Sequence, residues 1–81
     1  MHELAITEGI LKTAIPEAEK AGAAKILSIN LKIGQYSGVI SDCVQFYFAE
    51  IAKGTIAEGA AIRTETIPNS WDCFVENIEV E

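Results

Sequence analysis

The chain has 81 residues, 49% hydrophobic and 22% charged, with a formal net charge of -6 from 12 acidic against 6 basic side chains. That length suits one small domain burying roughly 60–65% of its unfolded surface, and the composition is globular rather than disordered. The acidic balance argues against nucleic acid and anionic membrane as partners, and no apolar run approaches the roughly 18–20 residues of a membrane span.

Residues from about Glu3 to Ala21 are rich in helix formers. Leu4, Leu11, Ala14, Ala18 and Ala21 define an apolar stripe, broadened by Ile10 and Ile15. Pro16 interrupts it, so the pattern predicts one kinked helix, or two short ones with Pro16 near the start of the second. From Lys25 to Ile33 the period changes to two, with Leu27, Ile29, Leu31 and Ile33 alternating with polar residues. This predicts a strand with one buried face, ended by Gly34. Gln35 to Ile40 read as a loop. Ser41 or Asp42 is placed to cap a second helix, which puts Val44, Tyr47, Phe48 and Ile51 on one face and stops near Gly54. Thr55 to Gly59 connect to a second strand, Ala60 to Ile67. There Ile62, Thr64 and Thr66 oppose Arg63 and Glu65 across the strand. Pro68-Asn69-Ser70 is a turn cluster. Cys73 to Val80 form a third strand, with Phe74, Ile78 and Val80 on one face and Glu76 breaking the alternation.

The order helix-strand-helix-strand-strand predicts an α+β domain, with two helices packed on one face of a three-stranded sheet. The other face is expected to be polar and to expose Ser28, Asn30, Lys32, Arg63 and Glu65 to water. The short turn at Pro68 predicts that the last two strands are antiparallel neighbours.

Few residues carry chemistry. Cys43 and Cys73 follow neither a disulfide nor a zinc spacing, and neither thiol has a base beside it in sequence, so an enzyme is not expected. The N-terminus lacks the pattern of a signal peptide, which predicts a reducing, cytoplasmic setting with both thiols free and more often buried than reactive. His2 is the one histidine, which excludes a mid-chain Ser-His-Asp triad and a multi-histidine metal cage. It sits in Met1-His2-Glu3. There the α-amine of Met1, the amide nitrogen of His2 and its imidazole can chelate one ion in the square-planar arrangement of nickel or copper. The same tripeptide is also what an incidental, solvated terminus looks like. The carboxylates Glu3, Asp42, Glu50 and Glu58 lack the spacing of a helical metal motif, and Asp42 stands out because its loop can fold near the N-terminus.

Taken together, Met1-His2-Glu3-Leu4, Glu17 to Ala23, Asn30 to Gly34, Ser37-Gly38-Val39, Phe46-Tyr47-Phe48, Lys53 to Ala60, Ile67-Pro68 and Ile78 to Glu81 resemble the HypA/HybF family of hydrogenase nickel metallochaperones. The resemblance runs in order along nearly the whole chain. It implies a nickel-binding domain over residues 1–81, with Met1, His2, Glu3 and, more weakly, Asp42 as metal-site residues. The family also carries a zinc module with two CxxC pairs between its last two strands. This sequence has no CxxC and runs through a turn at 68–72 instead, so no structural zinc is expected. The implied function is delivery of Ni(II) during [NiFe] hydrogenase maturation, in some relatives also for urease. The implied partners are the nickel-binding maturation GTPase and the hydrogenase large-subunit precursor. A homodimer or domain-swapped dimer is a further expectation, from two free sheet edges and the shortened turn at Pro68 to Ser70. The alternative is a metal-free interaction module that keeps the fold without the metal part.

Overall fold

The strand with the cleanest apolar alternation becomes the centre of the sheet. In the computed structural model, which describes residues 2–81, β1 (Ile26–Gly34) lies between β2 (Ala61–Ile67) and β3 (Cys73–Val80). It pairs parallel with β2, from Ser28 opposite Ala61 to Gly34 opposite Ile67. It pairs antiparallel with β3, from Ile26 opposite Val80 to Ile33 opposite Cys73. Two helices, α1 (Glu3–Lys20) and α2 (Ser41–Ile51), complete the α+β fold. The core joins Ile10, Leu11, Ala14 and Ala18 of α1, Val44 and Phe48 of α2, and Ile26, Ile29, Leu31 and Ile33 of β1. Among the described residues no helix is long and apolar enough to cross a membrane.

The expected hairpin between the last two strands is not formed. β2 and β3 occupy opposite edges of β1. Pairing with β1 sets Ile78 opposite Ile29, Val75 opposite Leu31 and Cys73 opposite Ile33, which extends the apolar face. β2 would offer the exposed Thr64 and Thr66 at those levels instead. The connection Pro68–Asp72 therefore crosses the end of β1, with Asn69 in the left-handed region at φ 57. It is held by Gly34 N–H donating to the Asp72 carbonyl (2.6 Å), Gln35 N–H to Ile67 (2.8 Å) and Tyr36 N–H to Ser70 (2.8 Å). The Tyr36 and Trp71 rings meet at 5.5 Å.

Two one-residue slips decide which side chains face inward. Between Ile26 and Ser28 the register shifts, leaving Leu27 as the extra residue of a bulge. Leu27, expected inside, is 44% exposed, and Ile26 is fully buried in its place. A second slip lies between Asn30 and Leu31, where Glu76 of β3 is the extra residue. It reverses the phase of the first half of β3, so Cys73 and Val75 turn inward and Phe74 is exposed on the other side. Val80, also expected inside, is largely exposed at the sheet edge.

The helices correct the sequence reading in similar detail. α1 runs unbroken through Pro16, with Ala14 and Ala18 fully buried on either side of it. Its buried stripe begins at Glu3 and Thr7; Leu4 and Ala21 are exposed. Neither Ser41 nor Asp42 caps α2. Ile40 occupies the N-cap without a side-chain cap bond, and the Ser41 hydroxyl lies 3.2 Å from that of Thr64.

Phe74 apart, the outer sheet face is largely polar as expected, but Ser28 does not meet water. It is 2% exposed, beneath the Glu79 carboxylate that accepts its hydroxyl. Arg63 reaches the same carboxylate at 2.6 Å, and Lys32 bridges Glu65 (2.7 Å) and Glu76 (3.4 Å). The Ser28 hydroxyl first, and then the Arg63 charge, hold the Glu79 carboxyl below its usual range.

Two outcomes follow from this packing. A Cβ at Gly34 would lie 2.5 Å from the Ser70 carbonyl oxygen and 2.7 Å from that of Asp72, whereas at Gly9 it meets nothing within 4 Å. Gly34→Ala should destabilise by about 1–3 kcal/mol, lowering Tm by about 4–8 °C per kcal/mol. Gly9→Ala, at an exposed helical position, should stabilise by about 0.5–1 kcal/mol. Thermal melts of the two variants check the contrast. For Glu79, a depressed folded pKa means stability that is present above the unfolded value, about 4.3 for Glu, and lost as pH falls through the folded one. The deficit of Arg63→Met relative to wild type should therefore be present at neutral pH and shrink under acid, as measured by denaturant midpoints at several pH values.

Candidate metal centre

The first turn of α1 and the segment leading into α2 meet at one end of the molecule. His2 is the N-cap of α1, with φ -88 and ψ 67, and makes no side-chain cap bond. Its carbonyl accepts from Ile6 N–H at 3.1 Å, which anchors its main chain, while the residue as a whole is exposed. The imidazole is therefore free to turn toward a ligand.

Glu3 is the opposite case, being only 7% exposed. Its Oε2 accepts from Ile40 N–H at 3.1 Å. Its carbonyl accepts from the hydroxyl of the fully buried Thr7 at 2.6 Å. Ile40 is the N-cap of α2, so one carboxylate stands at the N-terminal ends of both helices, where partial positive charge favours an anion.

Around this junction His2, Glu3, Leu4, Ala5, Glu8 and Tyr47 line an open depression of about 380 Å³. Asp42 is exposed and is not among its lining residues, although the Glu3–Ile40 bond brings its segment to the same end. Met1 lies outside the described residues. A groove between α2 and β2 is larger, about 460 Å³, but its walls carry no imidazole or thiol.

The other candidate donors are dispersed. Glu50 pairs with Lys53 at 3.2 Å, and Glu58 accepts from Gly54 N–H at 3.1 Å. Cys43 and Cys73 are half-buried free thiols, and burial pushes the Cys73 thiol up. Among the described residues, no group of three or more His, Cys, Asp or Glu side chains is placed to hold a metal ion. Main-chain nitrogen is a further class of donor at the His2 end. Square-planar nickel accepts such donors.

Sequence reasoning missed three parts of this end. The acceptor role of Glu3 toward Ile40 leaves no mark on residue type, because the donor is a main-chain amide. Tyr47 reads as a core residue but edges the depression. Thr7 reads as a polar interruption of the α1 stripe, although its spacing of four from Glu3 is what a hydroxyl bonding back to a helix carbonyl needs.

The whole chain, residues 1–81, matches the family described as hydrogenase/urease nickel incorporation metallochaperone, HypA. The chain belongs to the HypA family. This family consists of maturation factors rather than enzymes. A hydrogenase maturation factor HypA from Dehalococcoides mccartyi strain 195 is 47% identical over 73 residues, covering 90% of this chain and 61% of that relative. One from Rhodobacter capsulatus is 40% identical over 84 residues, covering 100% of this chain and 74% of the relative. The chain thus spans about three fifths of the length of the Dehalococcoides HypA relative. The solution structure of the Ni metallochaperone HypA from Helicobacter pylori superposes with a TM-score of 0.73 at 18% identity, over 95% of this chain and 72% of that one. At that identity the likeness shows a shared fold.

Proposed function

We propose that this chain binds Ni(II) at its N-terminus as cargo and passes it on during maturation of [NiFe] hydrogenase, or of urease. The observation that carries the reading is the exposed His2 standing at the helix start next to a fixed Glu3. The ligands are the Met1 amine, the His2 amide nitrogen and the His2 imidazole. Together they form fused chelate rings that hold one ion with few side chains. Asp42, exposed and in the segment that Glu3 ties to this end, supplies a nearby negative charge for the approaching cation. Family membership supports nickel as the metal, and the dispersal of the other donors supports the terminus as its place.

The partners that fit this role are the nickel-binding maturation GTPase of the same pathway and the hydrogenase large-subunit precursor, met in the cytoplasm. Residues 1–81 act as a single nickel-binding domain. The connection at 68–72 stands where the family resemblance implies a zinc module, and the proposed nickel role does not call on zinc.

Calorimetric nickel titration of three forms tests the reading: untagged protein, protein with an uncleaved N-terminal tag, and His2→Ala. The untagged form should bind about one equivalent, and more tightly at higher pH, because nitrogen donors bind a metal only without their protons. The tag turns the amine into an amide and His2→Ala removes the imidazole, so both should lose the stoichiometric transition while keeping the fold. Equal binding by all three forms would place the site elsewhere. No binding by the untagged form would leave the metal-free interaction module as the reading.

A further inference from the structure

We infer that Glu3 is a positioning residue of the N-terminal site rather than a nickel ligand, an inference that rests on the nickel-binding reading. Its carboxylate already has a partner, the Ile40 amide at 3.1 Å, and the residue is almost fully buried. Turning that carboxylate outward to a metal at His2 would leave the Ile40 N–H without its acceptor in a partly buried position, at the cost of an unmet donor. It would also withdraw the anion from the start of α2, whose N-cap has no side-chain cap of its own. Glu3 cannot compensate by shifting its backbone, because its carbonyl is held by the buried Thr7 hydroxyl at 2.6 Å.

What Glu3 does instead follows from its place in the chain. His2 directly precedes it, and the His2 carbonyl is tied to Ile6 N–H in the same turn. Fixing Glu3 against α2 therefore fixes where the chain emerges from the helix and where the His2 amide and imidazole can be presented. The task requires a hydrogen-bond acceptor of the right length. The negative charge adds the favourable field at the helix starts, but the bond to Ile40 N–H needs only the acceptor oxygen.

That distinction separates the two roles. The side-chain oxygen of Gln can still accept from Ile40 N–H, whereas Ala cannot. A metal ligand orders the variants differently, since a neutral amide oxygen is a poor substitute for a carboxylate on nickel. The experiment pairs nickel calorimetry with amide hydrogen exchange at Ile40 by NMR, on untagged wild type, Glu3→Gln and Glu3→Ala. The expected result is slow Ile40 exchange in wild type and Glu3→Gln, and exchange at least about tenfold faster in Glu3→Ala. Nickel affinity should stay within about threefold of wild type in Glu3→Gln and fall about 10–100-fold in Glu3→Ala, the range for a residue that orients a metal ligand. Adding nickel to wild type should leave Ile40 exchange slow. The inference is overturned if Glu3→Gln keeps slow Ile40 exchange yet loses as much affinity as Glu3→Ala, or if nickel frees the Ile40 amide of wild type. Should Glu3→Ala fail to fold, the Glu3→Gln affinity and the exchange of nickel-loaded wild type still decide. A wild type that binds no nickel, with Ile40 exchange slow, overturns the nickel-binding reading itself and with it any role of Glu3 toward the metal.

Discussion

The hydrogen bond from the Ile40 amide to the Glu3 carboxylate joins the starts of the two helices. The geometry of the candidate metal end rests on this contact. α1 enters the domain at Glu3, and α2 begins immediately after Ile40. Burying a carboxylate is costly unless its hydrogen bonds are met. Here the bond to Ile40 and the favourable field of two helix N-termini offset that cost. The arrangement leaves His2 just outside the junction, exposed and anchored through its carbonyl.

The same segment is held from its other end. After β1 the chain passes Gly34, Gln35 and Tyr36, whose amides all donate to the 67–72 stretch. Ser37 then bonds the Val39 amide through its hydroxyl at 3.3 Å, and Ile40 meets Glu3. The path from the sheet crossing to the helix junction is thus hydrogen-bonded nearly step by step. Gly34 makes the crossing sterically feasible, because any Cβ there would overlap two carbonyl oxygens. The fold places the tight backbone crossing at Gly34 and its candidate metal end on either side of one short loop.

Much of this was legible in the sequence, and the parts that were not share a physical cause. Periodicity located every element, and the bounds of β3 at Cys73 and Val80 match those read from alternation. What periodicity cannot see is a slip of one residue. The bulges at Leu27 and Glu76 exchange inside for outside over half a strand. Glu76 betrayed its bulge only as a break in pattern. Sheet order was misread because a short turn between two strands ordinarily signals a hairpin. Here pairing with β1 gives Cys73, Val75 and Ile78 apolar partners that β2, with Thr64 and Thr66, does not offer, and this outweighed the local signal. At the site, His2 was legible because its chemistry lies in the residue itself. Glu3 was named as a candidate metal-site residue, but its burial was not expected, since a carboxylate at the start of a helix usually faces solvent.

The central claim is that nickel is held by main-chain nitrogen and the His2 imidazole at a preorganised helix start. The most direct measurement is the ¹H–¹⁵N NMR spectrum of untagged protein loaded with one equivalent of nickel. Square-planar Ni(II) in a field of amine, amide and imidazole nitrogen is diamagnetic. Sharp signals are expected throughout, with changes confined to the first turn of α1 and the neighbouring segment around Ile40 and Tyr47. Paramagnetic broadening centred on Cys43, Cys73 or the carboxylates of β2 and β3, with the first turn of α1 unchanged, would contradict it.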